Sequence, residues 1–240
     1  MNKLIRLVLL IITVVVATAA NSQTNANQDL NAKQQALVRI SAVAGKGDLQ
    51  KLKTEFSAGL EAGLTINQIR EAIVHLYAYA GFPRSIRGLQ TLMIVVDGRK
   101  AQGINDEKGA EASPINDKRS KYERGKTILE QLTGVTETGS KTGYAAFAPE
   151  IEVFLKEHLF ADIFERDVLN YTERELVTVS VLSSIGGVEP MLRSHLNICL
   201  NVGLTPDQLQ QFVTTIKSAV GKKEAKETQK VLDDLLKSKK

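Results

Sequence analysis

Three observations predict an all-α chain. No stretch alternates apolar and polar residues with the period of two that a half-buried strand shows. Apolar residues instead return at helical spacing, as in Leu209, Phe212, Val213, Ile216 and Val220. The segment Ala62-Gly63-Leu64-Thr65-Ile66-Asn67-Gln68 also reappears as Val202-Gly203-Leu204-Thr205-Pro206-Asp207-Gln208, an offset of 140. At the same offset Gly47 meets Gly187, Leu52 meets Leu192, Ile69 meets Leu209, Ile73 meets Val213 and Gly81 meets Gly221. A register held without a gap predicts two tandem copies of one helical unit.

The elements follow in chain order. Lys3 and Arg6 precede an uncharged run from Leu7 to Ala20 that ends in small residues. That three-part pattern predicts a signal peptide over 1–20, and the run is shorter than the roughly 20 residues of a spanning helix. The first copy spans 29–97, with helices near 32–44, 48–61, 66–80 and 84–96. A polar linker with Gly98, Gly103, Gly109 and Pro114 fills 98–121. The second copy occupies 122–240 with its lead-in helices. There, Pro149 to Phe164 reads as an amphipathic helix, and Thr133 to Gly143 as a loop. Thr172-x-x-Glu175 reads as a capping box opening a helix to about Ile185, which Gly186-Gly187 stops. A helix starting near Glu189 ends at Gly203. Thr205-x-x-Gln208 caps the next one, and Gly221 breaks it before a last helix with Val231, Leu232, Leu235 and Leu236 on its apolar side. The sign-alternating run from Lys222 to Glu227 reads as a solvated face.

Composition narrows the function. The 240 residues are 43% hydrophobic and 24% charged, an ordinary globular balance. One Cys excludes an intramolecular disulfide and every multi-Cys metal or redox motif. Three His without HExxH spacing argue against a zinc hydrolase, and no metal or cofactor site is expected. The net charge is +4, and removal of Lys3 and Arg6 would take 31 basic residues to 29 against 27 acidic ones. So mild a balance gives no reason to expect a nucleic-acid partner. The leader implies a periplasmic or secreted protein with no membrane attachment once it is removed.

His195 is the first candidate for chemistry. Leu192, His195, Leu196 and Cys199 share one apolar helix face, and imidazole is the side chain best suited to proton transfer near neutrality. The same spacing also describes a core histidine with one hydrogen bond. At the matching position the first copy has Glu55. Glu175 is a candidate acid or base, although the capping box already accounts for it. Cys199, one turn after His195, reads as a small buried hydrophobe. His75 reads as packing, and Tyr77 and Tyr79 need hydroxyl partners if buried. Arg84 and Arg87 follow Gly81-Phe82-Pro83 at a helix start, where they read either as a carboxylate clamp or as a solvated face.

Several segments together resemble the carboxymuconolactone decarboxylase family. They are Thr172-Glu173-Arg174-Glu175-Leu176-Val177-Thr178-Val179, Gly186-Gly187-Val188-Glu189-Pro190-Met191-Leu192-Arg193-Ser194-His195-Leu196-Asn197 and Asn201-Val202-Gly203-Leu204-Thr205. Tyr122-Glu123-Arg124-Gly125 is similar to the family's opening, and Tyr79-Ala80-Gly81-Phe82-Pro83 to the stretch after its third helix. The resemblance implies a tandem repeat of the alkylhydroperoxidase D-like helical domain. It also implies a ring assembly, here a homo-oligomer in the form of a trimer of two-copy chains. Of the superfamily's two chemistries, thiol peroxidation needs CxxC before the histidine, and those positions are Val188 and Met191. Cofactor-free decarboxylation remains. The resemblance assigns His195 to proton transfer on a small carboxylated or lactone substrate, with Glu175 as a second catalytic candidate. Arg193, Tyr79, Arg84 and Arg87 would hold the substrate. The competing expectation is an exported binding or scaffold protein that keeps only the fold.

Overall fold

The computed structural model describes residues 29–239. The leader expected over 1–20 lies outside them. Among the described residues every regular element is helical.

The first copy contributes α1 (Ala32–Lys46), α2 (Leu49–Glu61) and α3 (Ile66–Ala101). A lead-in of α4 (Lys121–Thr133), α5 (Gly143–Phe147), α6 (Pro149–Phe154) and a π-helical segment (Leu155–Phe164) follows. The second copy adds α7 (Tyr171–Ile185), α8 (Glu189–Asn201), α9 (Pro206–Val220) and α10 (Lys222–Lys237). Gly81 stands outside helical geometry at φ 79° and ψ 162°, so α3 is two helices in series. Gly221, 140 residues later, separates α9 from α10 at φ 117°. Both positions need the positive φ that glycine tolerates best.

The repeat extends to individual hydrogen bonds. The Thr65 hydroxyl accepts from Gln68 N at 3.2 Å, and the Gln68 side chain accepts from Thr65 N at 3.0 Å. Thr205 and Gln208 repeat both bonds at 3.1 and 2.9 Å. In each case two of the N–H groups that a helix start leaves unpaired are satisfied reciprocally.

The copies exchange contacts rather than folding apart. α1 and α7 pack on one another at the centre, α1 also packs on α9, and α7 on α3. A Cβ on Gly45 would come within 2.4 Å of the Ser184 hydroxyl, so the α1–α7 crossing depends on a glycine there. One apolar core results, running through Leu37, Ile40, Phe56, Ile73, Val177, Leu196, Phe212 and Leu232. A smaller cluster of Ile128, Leu132, Phe160, Phe164 and Ile198 joins α4 and the π segment to α8.

Three local expectations change. The capping box at the start of α7 is Asn170 with Glu173, not Thr172 with Glu175: Glu173 N donates to Asn170 at 2.9 Å and Asn170 N donates to Glu173 at 3.0 Å. Asparagine is a stronger N-cap than threonine. The Thr172 hydroxyl donates instead to Val202 O at 3.0 Å, and Glu175 is carried one turn inward. The second half of α3 runs on through Ala101, past Gly98, into the stretch read as linker. The rest of that linker is docked, because Glu107 O and Lys108 O accept from Ile66 N and Asn67 N at 3.0 and 2.9 Å and so cap α3. Finally, the amphipathic helix from Pro149 changes to π geometry at Leu155. A Cβ on Gly125 would stand 1.8 Å from Lys156 O, so α4 lies directly against that widened turn.

Candidate active site

Two helices of the second copy and one of the first build the site. α7 carries Arg174, Glu175 and Thr178, and α8 carries His195. On α3, Glu71, His75 and Tyr79 recur every fourth residue and so share a face. α3 and α7 pack together, and α7 and α8 do likewise.

His195 Nδ1 lies 2.8 Å from Glu175 Oε2. The Glu175 side chain is sealed from solvent, whereas that of His195 keeps 14% of its surface accessible. An ionised Glu175 accepts this bond, which places the imidazole proton on Nδ1. His195 Nε2 makes no hydrogen bond and is not among the sealed atoms, while Glu175 Oε1 is sealed and unpartnered. The arrangement is a histidine oriented by a buried carboxylate, with its free nitrogen toward solvent. Proton transfer uses that geometry.

Behind it lies a buried polar chain. Arg166 grips Glu71 with two bonds of 2.8 and 3.0 Å, and Arg174 donates to the same carboxylate at 2.8 Å. Burial alone would raise the Glu71 carboxyl, but these two guanidinium groups outweigh it and hold the group below its ordinary range. Arg174 also meets His75 Nδ1 at 3.2 Å, and His75 Nε2 meets the Thr178 hydroxyl at 2.8 Å. The Thr178 hydroxyl donates its own proton to Arg174 O at 3.0 Å. His75 is therefore the neutral Nε2–H tautomer. Burial, then Arg174, then His195 keep it well below the usual imidazole range.

Tyr79 joins the two groups. Its ring stacks on His75 with centroids 5.5 Å apart and meets His195 edge-on at 5.7 Å. Its hydroxyl is sealed and unpartnered, and so is that of Tyr77. Burial and then the neighbouring Glu175 push the Tyr79 phenol far above its ordinary value, against the opposing pull of the Thr178 hydroxyl and of Arg174. Tyr79 also borders a cavity of about 390 Å³ with Gly45, Lys46, Arg84, Ser184 and Ile185. Neither His195 nor Glu175 lines it. The Arg84 guanidinium lies over Gly47, where a Cβ would come within 1.7 Å of it.

The other candidate residues lie apart. Arg193 donates to the Ser238 hydroxyl at 2.7 Å and borders a different cleft with Glu189, Pro190 and Asp234. Residues two apart on a helix face away from each other, so Arg193 turns from the site that His195 enters. Arg87 is exposed and donates to Gln90 at 2.8 Å, leaving no Arg84–Arg87 clamp. Cys199 is fully buried, and burial followed by the Glu175 charge pushes its thiol well up. Arg166, Arg174 and Glu71 were not visible as a group in the sequence, although the Glu71, His75, Tyr79 spacing was the available signal. Among the described residues no group of three or more His, Cys, Asp or Glu is arranged to hold a metal ion.

In the first copy the position of His195 is Glu55, which pairs with Arg39 at 3.2 Å. Among the described residues, the buried His–Glu pair occurs in the second copy only.

The sequence relationships agree with this architecture. A 100-residue stretch, 41% of this chain, is 28% identical to 73% of the 4-carboxymuconolactone decarboxylase of Acinetobacter baylyi. A 66-residue stretch, 28% of this chain, is 33% identical to 62% of an uncharacterized protein of Methanocaldococcus jannaschii. Residues 13–92 and again 149–234 match the carboxymuconolactone decarboxylase family, the first match opening within the stretch read as a leader. Two matches that cover most of the chain, on a helical unit whose Thr–Gln capping box recurs 140 residues on, place this protein in the carboxymuconolactone decarboxylase family as a tandem two-copy member.

Proposed function

We propose that the chain is an enzyme that moves a proton on a small carboxylated or lactone substrate without a cofactor, with His195 as general acid–base. The supporting observation is the 2.8 Å bond between His195 Nδ1 and the sealed Glu175, which leaves Nε2 free. The name of the Acinetobacter relative supports the substrate class. In a decarboxylation the bond to the carboxylate carbon breaks, carbon dioxide leaves, and the electron pair stays as an enolate. His195, as the imidazolium protonated on both nitrogens, then delivers its Nε2 proton to form the new C–H bond, and the neutral Nδ1–H imidazole left behind recovers a proton from water. Glu175 offsets the imidazolium charge and fixes the ring. The substrate carboxylate falls to Arg84 in the cavity beside Tyr79, since Arg87 and Arg193 point elsewhere. Val188 and Met191 at the thiol positions argue against peroxidase chemistry.

The test is a turnover screen of lactones and small carboxylates with wild type, His195→Ala and Glu175→Gln. Loss of roughly a hundredfold or more in His195→Ala is expected. Equal turnover in all three ends the assignment. One observation favours a second reading, a non-catalytic binding or scaffold protein: His195 and Glu175 do not line the cavity. Binding of these compounds without turnover by wild type would favour it.

We also propose export through the 1–20 segment and assembly into a homo-oligomer, a trimer of two-copy chains. The mass of the protein recovered from a secreting host tests the first, and a mass that retains residues 1–20 rejects it.

A further inference from the structure

The geometry points to Tyr79 as a positioning residue for His195: through its ring, the first copy supplies the wall that holds the second copy's imidazole in the orientation Glu175 needs. This role rests on the proton-transfer reading above.

One hydrogen bond fixes one atom. The 2.8 Å bond between His195 Nδ1 and Glu175 Oε2 leaves the imidazole able to swing about that contact. A group that transfers protons has to be held in plane as well as in place, and packing against it does that. The second contact is Tyr79. Its hydroxyl is sealed inside the protein, so what Tyr79 offers the site is its ring. That ring lies 5.7 Å from the imidazole of His195 at an interplanar angle of 85°.

Behind Tyr79 the rings continue as a column. Tyr79 stacks on His75 at 5.5 Å, His75 meets Phe164 at 5.0 Å, and Phe164 meets Phe160 at 5.1 Å. Each spacing falls within the roughly 4.5–7 Å over which aromatic rings attract. Phe160, Phe164 and His75 are all buried. His75 is also held at both nitrogens, by Thr178 at 2.8 Å and Arg174 at 3.2 Å. Tyr79 therefore leans on a ring that is itself fixed. His75 stays uncharged, so the column sets no positive charge against the imidazolium that His195 becomes.

The other half of the molecule lacks the column and the histidine together. At an offset of 140, His75 and Tyr79 become Thr215 and Ala219, and His195 becomes Glu55. Glu55 pairs with Arg39, and the Thr215 hydroxyl donates to Gln211 O at 3.0 Å within its own helix. The helical unit packs without these rings. They stand where an imidazole has to be held.

The test reads the His195 Nδ1 proton by nuclear magnetic resonance, in the full chain carrying isotope-labelled histidine. Wild type is expected to show a downfield imidazole resonance that His195→Gln removes. Tyr79→Leu is expected to speed exchange of this proton with water by roughly tenfold or more, because the ring can then swing off Glu175. Tyr79→Phe keeps the wall and should stay within about twofold of wild type. Leu64→Ala truncates a buried side chain just before α3, at the end of its first half away from Tyr79. It should lower the thermal midpoint and leave the exchange rate unchanged. Equal exchange in wild type and Tyr79→Leu overturns the inference, as does release of the proton by Tyr79→Phe. So does faster exchange in Leu64→Ala to the same degree, which would trace the effect to lost stability. Absence of the resonance from wild type also overturns it, since the imidazole is then not held. The two readings fail separately: equal turnover in His195→Ala ends the acid–base role, whereas unchanged exchange in Tyr79→Leu ends the positioning role.

Discussion

His75 is buried between the copies and uncharged, and that has a consequence for stability. The unfolded chain takes up a proton on this imidazole near its ordinary value of 6.5, whereas the folded chain resists until the pH is well lower. The unfolded state then binds more protons, so the contribution is complete above pH 6.5 and is lost as the pH falls below it. The limiting slope for one group is about 1.4 kcal/mol per pH unit. Denaturant midpoints measured at pH 7.5, 6.5 and 5.5 should fall across the lower interval, a window above the one in which carboxylates such as Glu71 titrate. A flat profile would show that His75 accepts a proton in place. The group that creates this effect was only half legible in the sequence. Helical periodicity puts Glu71, His75 and Tyr79 on one face, but it does not say which other helix that face meets. Arg174 is 103 residues from Glu71 in the chain, and an arginine in the first turn of a helix ordinarily reads as solvated. His195 was legible because its own helix face declared it inward. Glu175 was obscured by a capping pattern that Asn170 and Glu173 fulfil instead.

At the level of elements, glycine positions separate packing from propensity. Gly98 lies inside α3 with nothing within 4 Å of a would-be Cβ, while Gly125 lies inside α4 with Lys156 O at 1.8 Å. Alanine at 98 should therefore stabilise by about 0.5–1 kcal/mol, the usual gain in a helix interior. Alanine at 125 has to push α4 off the π segment, and a loss of about 1–3 kcal/mol is expected from overpacking against backbone. Urea denaturation of the two variants checks both signs, and equal effects would mean that α4 can slide at no cost. The helices themselves were plain in the sequence because caps and breakers are local: Thr65, Thr205, Gly81 and Gly221 act where they stand. The π geometry was less plain. Ile151, Leu155, Leu159 and Ile163 recur every four residues, a looser spacing than 3.6, yet such a row still fits an ordinary amphipathic helix. What selects the wider turn is the contact with Gly125, some thirty residues earlier in the chain, and a local pattern carries no trace of it.

On the scale of the whole molecule, the two copies differ most on their outer faces. The second half of α3 exposes Phe82 at 63%, Ile86 at 48%, Met93 at 64% and Ile94 at 60%. At an offset of 140 the same positions on α10 are Lys222, Lys226, Asp233 and Asp234. A helix that only had to close its own core would not need those apolar residues, since its twin does without them. The α3 face continues beyond its helix, because Phe82 stacks on Tyr77 at 4.6 Å and Tyr77 meets His158 at 5.4 Å. One turn before His158 stands Phe154, exposed with Ile151, and Phe147 beyond them is 92% exposed. Contiguous apolar surface of this kind marks an association site. The proposed assembly therefore joins chains through the first copy and the lead-in helices and leaves α10 in solvent. Ile86→Glu with Met93→Glu should convert the assembly to single chains, and Lys226→Glu should leave it intact, as read by light scattering at matched protein concentration. Helical content by circular dichroism should persist in both, since the substituted side chains lie outside the core. If the α3 pair leaves the mass unchanged, or if the α10 charge reversal is the one that splits it, the contact lies on another face.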